Sequence, residues 1–331
     1  MGLTDERPRS GSVSRGEVPG ARTEQTVRLS VVITTRDRKD RLMRCIESVK
    51  ASDFSDWELI VVDDASTDAT RSLEAKDLGV AVGEVIHLVE SVMMVRARNV
   101  GARRARGELV LFIDDDNVIH PAMIRILVEA ANAHPAYGIF GPAMLELKTG
   151  ETYLDHQTMN LWTGRTRGHI DTQGRAICDT EGVPNVFMVR RRVFEECGYF
   201  DESLLQTYTE PDFSFAARAK GFRSGIVKAA VTLHDVLRVS NLTPRALGGE
   251  FRQKAYCLMR NRTVLVRRYG RWYQRVFYTL FFSWFWPLAY SVLMLRFLRF
   301  DLVSLYWRGW WDGMVYMFGG PLVNGLARWR G

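Results

Sequence analysis

Apolar residues gather in short, nearly continuous runs: Leu29–Thr35 (LSVVITT), Glu58–Val62 (ELIVV), Val85–Val89 (VIHLV) and Leu109–Ile113 (LVLFI). Runs of this length, rich in β-branched residues and without alternation, predict strands covered on both faces. Between them, apolar residues recur at helical spacing over about 39–51, 67–77, 93–106 and 121–133. Ser66 or Thr67 suits the cap of the second stretch, and Pro121 the opening turn of the fourth. Alternation of this kind predicts βαβ units around a mainly parallel sheet flanked by helices.

After Gly150 the pattern loosens through 151–175, a Thr-, Gly- and Arg-rich stretch expected to form loops of a binding surface. Order returns at Val186–Val189, an edge or central strand, then at helices near 191–197 and 212–220. Residues 244–269 predict a basic amphipathic helix, with Leu247, Phe251, Leu258 and Leu265 at helical spacing. The segment Val276–Leu295 has 20 residues, no charge, eight aromatics and Pro287. At about 1.5 Å per residue it is long enough to cross a hydrocarbon core of roughly 30 Å. Arginines stand on both flanks (Arg267, Arg268, Arg271 and Arg275 before, Arg296 and Arg299 after), so the positive-inside rule gives no orientation. A full span, an interfacial or re-entrant helix and a buried hairpin are the alternatives. The next stretch, with Trp307, Trp310 and Trp311 beside Arg308 and Asp312, suits an interface.

Charge sharpens this picture. Residues 241–331 hold 14 Lys/Arg against 3 Asp/Glu, whereas the first 240 hold 31 against 35. A basic excess confined to the apolar end fits an anionic membrane leaflet rather than nucleic acid. The four cysteines are scattered, with no CxxC pair, so neither a zinc site nor a disulfide framework is expected. The first residues mix charge with Gly, Pro and Ser and lack an apolar h-region, which predicts a disordered tail over 1–27 rather than a signal peptide. The expected organisation is that tail, a catalytic body at 28–240 and membrane-associated helices at 241–331, held at the cytoplasmic face of the cell membrane. The pattern carries no information on oligomeric state.

The fourth apolar run ends in Asp114, Asp115 and Asp116. Adjacent carboxylates repel one another, and open α/β sheets bind ligands at the C-terminal ends of their strands. A hard divalent cation, Mg²⁺ or Mn²⁺, shared with a substrate diphosphate would satisfy them. If strand geometry continues, Asp114 and Asp116 share a face and Asp115 points the opposite way. The plainer alternative is an acidic turn capping the helix after Pro121.

Five stretches follow in order: VVITTRDR (31–38), VVDDASTD (61–68), ARNVGARRARGELVLFIDDDN (97–117), GYFDESL (198–204) and TEPDFSFAARAKGF (209–222). In these the chain resembles the family 2 glycosyltransferases, which have the GT-A fold, over about residues 28–240. The resemblance implies a metal-dependent, inverting transfer of a sugar from a nucleotide-sugar donor to an acceptor, and the basic, aromatic C-terminal region suggests a glycan or lipid-linked acceptor at the membrane. The resemblance also implies nucleotide contacts at Thr34 and Arg36 and base and ribose contacts at Asp63 and Asp64. Asn99 and Gly101 would lie beside the nucleotide, with Arg96 or Arg98 on phosphate. Asp114 and Asp116 match the Asp-x-Asp pair that holds metal and sugar diphosphate, with Asp115 among the donor contacts. His234 stands where some members place a metal ligand or diphosphate contact; a satisfied structural histidine is the alternative. Glu210 occupies the position of the family's catalytic aspartate and Asp212 that of its companion, a departure from the usual Glu-Asp-x-Asp. Phe200, Asp201 and Glu202 match a signature near the acceptor or a loop-stabilising element. A nucleotidyltransferase or dehydrogenase would open with a glycine-rich loop after the first strand, where this chain has TTRDRKD. A non-catalytic, membrane-bound nucleotide-sugar binder remains the other reading.

Overall fold

The computed structural model describes residues 27–234, 243–249 and 252–323. The expected tail over 1–27, apart from Val27, and Phe251 lie outside the described residues. Four βα-type steps open the chain: β1 (Leu29–Thr35), α1 (Lys39–Lys50), β2 (Trp57–Asp63), β3 (Gly83–His87), α2 (Met93–Arg104), β4 (Leu109–Asp114), β5 (Asn117–Ile119) and α3 (Met123–Ala133). β6 (Tyr137–Glu146), β7 (Thr152–Leu154), β8 (His156–Asn160), β9 (Arg165–His169) and β10 (Ile177–Asp179) follow. Then come β11 (Val186–Arg190), α4 (Arg191–Cys197), α5 (Thr209–Ala219) and β12 (Arg223–His234).

β3, β2, β1 and β4 lie side by side and parallel; β11 enters antiparallel between β4 and β6, and β12 runs parallel to β6. β1, β2 and β4 read as unbroken apolar runs because both faces are covered; the run expected at Val85–Val89 is instead the half-buried edge strand Gly83–His87, with Val89 exposed. Val31, Ile33, Leu111 and Ile113 point into one core with α1 and α3, while Val32, Val110 and Phe112 point into a second with Phe194, Phe200 and Phe213. This GT-A-like α/β sheet flanked by helices is the predicted fold class.

Several local expectations change. The helix expected over 67–77 is two 3₁₀ turns, Ala69–Ser72 and Ala75–Leu78. Asp68 rather than Ser66 or Thr67 caps the first, accepting from the Thr70 amide, while the Thr67 hydroxyl is donated to Asp37 and the Ser66 hydroxyl accepts from the Asp37 amide. The stretch expected as loops contains the β8–β9 hairpin, whose polar faces hid it from a search for apolar runs. Val186–Arg190 is a central strand. Of the basic helix expected over 244–269, the described residues show a π turn at Arg245–Gly249 and α6 (Arg252–Tyr269), and α6 is not a surface helix: Arg260 is 0 % and Arg262 2 % exposed.

After α6 one continuous helical stretch, Trp272–Leu295, comprises α7 (Trp272–Phe277), a π turn at Tyr278–Phe282 and α8 (Ser283–Leu295); α9 (Phe300–Met317) then returns along α6. The close approach of α9 to α6 depends on glycine. A Cβ at Gly309 would sit 2.3 Å from the Tyr256 carbonyl oxygen, a backbone atom that cannot swing aside. Gly309→Ala is therefore expected to destabilise the protein by about 1–3 kcal/mol, read as an earlier denaturant midpoint; an unchanged midpoint would show that the two helices separate freely.

Candidate active site

Register brings the polar residues together. Thr34 pairs with Val62 on β2 and with Asp114 on β4, and Thr35 pairs with Asp63, so the predicted residues sit at one end of three adjacent parallel strands. β4 ends at Asp114 and the next two residues form a turn. The alternation expected for the three aspartates therefore fails, and each carboxylate faces a different partner.

Asp114 turns toward α2. Arg98, its side chain only 3 % exposed, donates from Nη2 to Asp114 Oδ1 and from Nη1 to Glu210 Oε1, both at 2.7 Å. Burial alone would lower the Arg98 pKa, but the two carboxylates outweigh it and hold it above its usual value. Arg98 is thus a fixed cation joining β4 to the first turn of α5. Thr209 donates to the other Glu210 oxygen at 2.8 Å, so both ends of that carboxylate are oriented while its side chain stays 17 % exposed. Asp212, by contrast, is 1 % exposed and accepts from Arg268 (3.0 Å) and Tyr269 (2.8 Å). Asp212, expected either as the catalytic companion of Glu210 or as a structural residue in the first turn of its helix, has its carboxylate sealed against α6.

The loop entering α5 is strained: Leu205, Thr207 and Tyr208 all have left-handed backbones. Asn261 on α6 holds it, donating from Nδ2 to the carbonyls of Leu204 (2.7 Å), Gln206 (2.7 Å) and Thr207 (3.0 Å). Its neighbours help: Arg260 donates to the Ser203 carbonyl, and Arg262 to the Tyr208 hydroxyl. Sequence reading missed these residues, although the signal existed in an Arg-Asn-Arg triplet (260–262) on a helix whose neighbours are apolar. Replacing Asn261 by Ala frees three carbonyls and is expected to cost about 1–3 kcal/mol of stability and to lower turnover through a mobile Glu210. A denaturant melt that matches the wild type would contradict this.

Asp115 lies inward, 4 % exposed, accepting from Thr35 at 2.7 Å and Arg38 at 3.1 Å. Burial pushes its carboxyl up to about 6, against those two partners. The donor contact expected of Asp115 is therefore replaced by a structural bond under β1. Asp116 faces β12: its Oδ1 lies 3.5 Å from His234 Nε2, and Asn117 and Arg38 are its other neighbours. Burial opposes ionisation of Asp116, but His234 and Arg38 outweigh it and hold its carboxyl below the usual range.

A divalent cation can be tested against these atoms. Among the described residues no group of three His, Cys, Asp or Glu side chains is arranged to hold a metal. Two donors suffice, however, when substrate oxygens complete the shell. Neighbouring ligands on an octahedral ion with bonds near 2.1 Å lie about 3 Å apart, close to the Asp116–His234 separation. Nearby, the buried amide oxygens of Asn117 and Asn185 have no hydrogen-bond partner, while Asn185 Nδ2 lies 3.2 Å from His234 Nε2. Oxygen and imidazole donors of this kind fit Mn²⁺ or Mg²⁺. Asp114, expected as a ligand, instead has Oδ1 engaged by Arg98.

On the β2 side, Asp63 is fully buried, bonded to His87 Nδ1 (2.7 Å) and to the Ser66 amide (2.9 Å). Asp64 accepts from the Ser91 hydroxyl and from the amides of Val92 and Met93. Arg36 donates to the same Ser91 hydroxyl, at 2.5 Å. At this edge Arg36 is exposed and Ser91 half-buried, while Asp64, 7 % exposed, and the fully buried Asp63 are both held by hydrogen bonds of the fold. Arg96 reaches Glu202 at 3.4 Å and stays half exposed. Asn99, expected beside the nucleotide, is 1 % exposed and bonds both the amide and the carbonyl of Phe200, plus Glu202, so it secures the 198–204 loop instead.

Comparison with known proteins bears on the family and the fold. The sequence profile of glycosyl transferase family 2 matches residues 30–198. The uncharacterized glycosyltransferase YwdF of Bacillus subtilis is 27 % identical over 230 residues, covering 69 % of this chain and 81 % of its own. The GalNAc(5)-diNAcBac-PP-undecaprenol beta-1,3-glucosyltransferase of Campylobacter jejuni is 31 % identical over 122 residues, 36 % of this chain and 39 % of its own. Among solved structures, S. aureus TarS 1-349 in complex with UDP superposes with a TM-score of 0.52 at 17 % identity, covering 88 % of this chain and 92 % of that one. The mannosyltransferase PcManGT from Pyrobaculum calidifontis, in complex with GDP-Man and Mn²⁺, gives 0.55 at 15 % identity over 92 % of this chain and 79 % of its own.

Proposed function

Because this chain belongs to glycosyl transferase family 2, we propose that it moves a sugar, with inversion, from a nucleoside-diphosphate sugar to the hydroxyl of a membrane-borne acceptor in cell-envelope glycan synthesis. The observation that carries this reading is Glu210, a partly exposed carboxylate fixed by Arg98 and Thr209 at the ends of the strands that carry Asp114 and Asp64. The nucleotide lies along Arg36, Ser91 and Asp64, and its diphosphate reaches the turn at 114–116. Asp116 and His234 would hold the divalent cation, which when bound neutralises charge on the departing diphosphate.

The chain's own groups do the rest. Glu210 accepts the proton of the acceptor hydroxyl as the new bond forms to the anomeric carbon and the bond to the diphosphate breaks. Arg98 holds that carboxylate at a fixed distance from β4, so the base does not wander between turnovers. Two features support a lipid-linked acceptor: the apolar, basic C-terminal segment, and the undecaprenol-linked substrate in the name of the Campylobacter jejuni relative. The metal dependence rests on the Asp116–His234 pair and on the Mn²⁺ present in the PcManGT structure.

The test is release of nucleoside diphosphate from UDP-, GDP- and dTDP-sugars incubated with the full chain, Mn²⁺ and a polyprenyl-linked acceptor. Release with one donor that stops in EDTA is the expected result. Tight donor binding without release under any combination would favour the non-catalytic binder.

A further inference from the structure

The helical stretch Trp272–Leu295 has two faces. Tyr278, Ser283, Pro287, Ser291 and Met294 form a buried stripe against α6 and α9, and the Tyr278 hydroxyl bonds Thr263 at 2.8 Å. The opposite stripe is apolar and bare: Leu280 is 63 % exposed, Phe281 58 %, Leu288 51 % and Val292 58 %, and the adjoining turn exposes Leu298 at 74 %. An apolar patch of this extent on a charged protein marks an interaction surface.

Charge selects the occupant. Residues 271–300 contain Arg271, Arg275, Arg296 and Arg299 and no acidic residue; the next residue, Asp301, takes both guanidinium arms of Arg299 at 2.9 Å, so the basic excess rests on Arg271, Arg275 and Arg296. Two copies of such a face would meet cation to cation, whereas an anionic lipid surface meets both the apolar stripe and its basic ends. We infer that this helix lies in the plane of an anionic bilayer, its bare stripe among the acyl chains and its arginines at the headgroups, without crossing.

Packing argues against a span, although the helix is long enough at 24 residues. From Tyr278 onward its covered face is held by α6 and α9, whose buried Arg260, Arg262 and Asp312 would have to enter hydrocarbon with it. It also lies against the catalytic body: the Trp162 ring is tilted against Tyr273 (5.4 Å) and edge-to-face with Phe277 (5.3 Å), and the Trp286 indole donates to the Thr163 carbonyl at 2.7 Å. That same turn accepts from the Tyr208 hydroxyl through Gly164, two residues before Glu210. Docking therefore sets the bilayer beside the base. That consequence rests on the transferase reading; the docking itself does not.

The experiment is flotation of the full chain with phosphatidylcholine vesicles, with and without phosphatidylglycerol. The wild type is expected to float with anionic vesicles only, to bind less as salt rises and to be released by alkaline carbonate. The triple variant Leu280→Asp, Leu288→Asp, Val292→Asp changes exposed positions only. It is expected to melt like the wild type, release nucleoside diphosphate at the same rate with a soluble acceptor, and bind vesicles more than about tenfold less. Flotation that resists carbonate would establish a span and overturn in-plane docking. A triple variant that floats normally, a wild type that binds no vesicle, or a solution dimer that this variant dissociates would overturn it equally. Loss of transfer with docking intact would bear on the transferase reading alone.

Discussion

Glu210→Gln is expected to lower the transfer rate by about 10²–10⁴-fold while nucleotide-sugar affinity stays near that of the wild type. The reason is geometric. Glutamine keeps the length of the side chain, and its amide oxygen still accepts from Arg98, which holds Glu210 Oε1 at 2.7 Å. The lost property is the ability to take a proton. A base acts only as the acceptor hydroxyl attacks, so its loss appears in kcat, with little change in donor binding. Initial rates at saturating donor, with donor binding measured separately on the same preparation, check this. Asp212 cannot substitute, because Arg268 and Tyr269 occupy its carboxylate on the far side of α5's first turn. A Glu210→Gln enzyme with the wild-type rate would remove Glu210 from the reaction.

The second large effect is expected at Asp116. Asp116→Ala leaves His234 without the carboxylate 3.5 Å from its Nε2, so the pair loses its oxygen donor. Activity as a function of Mn²⁺ should change from a saturating curve to a low, nearly flat line, with a rate reduced on the order of 10²-fold or more. Folding should survive, since Asp116 closes a turn rather than a strand and its side chain is 15 % exposed. An unchanged Mn²⁺ requirement would mean that the cation sits elsewhere. Asp114→Ala differs in kind: it leaves the buried Arg98 guanidinium short of one carboxylate and weakens the joint between β4 and α5.

The parallel sheet was legible because β1, β2 and β4 are buried on both faces, and short β-branched apolar runs repeated between helical stretches fit little besides such strands. β8 and β9 were not, because a two-stranded ribbon with polar side chains leaves no period to read. The site divides in the same way. Strand-end residues such as Thr34 and Asp114 could be placed together, since parallel register aligns the ends of neighbouring strands. The partners that decide their roles come from far along the chain: Arg98 reaches Glu210, and Asn261 reaches the 204–207 carbonyls. The polar triplet at 260–262 marks a buried role for Asn261, but the sequence does not say which carbonyls it meets. Burial adds what the sequence hid: Asp63, Asp115 and Asp212 are each sunk among partners of the fold. The basic helix shows the same limit, for its arginines read as a solvated face yet Arg260 and Arg262 are buried behind the catalytic loop.

At the centre stands the turn at 114–116, which with His234 forms the place where a cation and a sugar diphosphate would meet beside Glu210. Calorimetric titration of the full chain with UDP-, GDP- and dTDP-sugars, in Mn²⁺ and in EDTA, tests this most directly. The expected result is saturable binding of one nucleotide-sugar in Mn²⁺, weakened at least tenfold in EDTA, about 1.4 kcal/mol, and equally weakened by Asp116→Ala. Binding of no nucleotide-sugar, or binding indifferent to both the cation and Asp116, would contradict it.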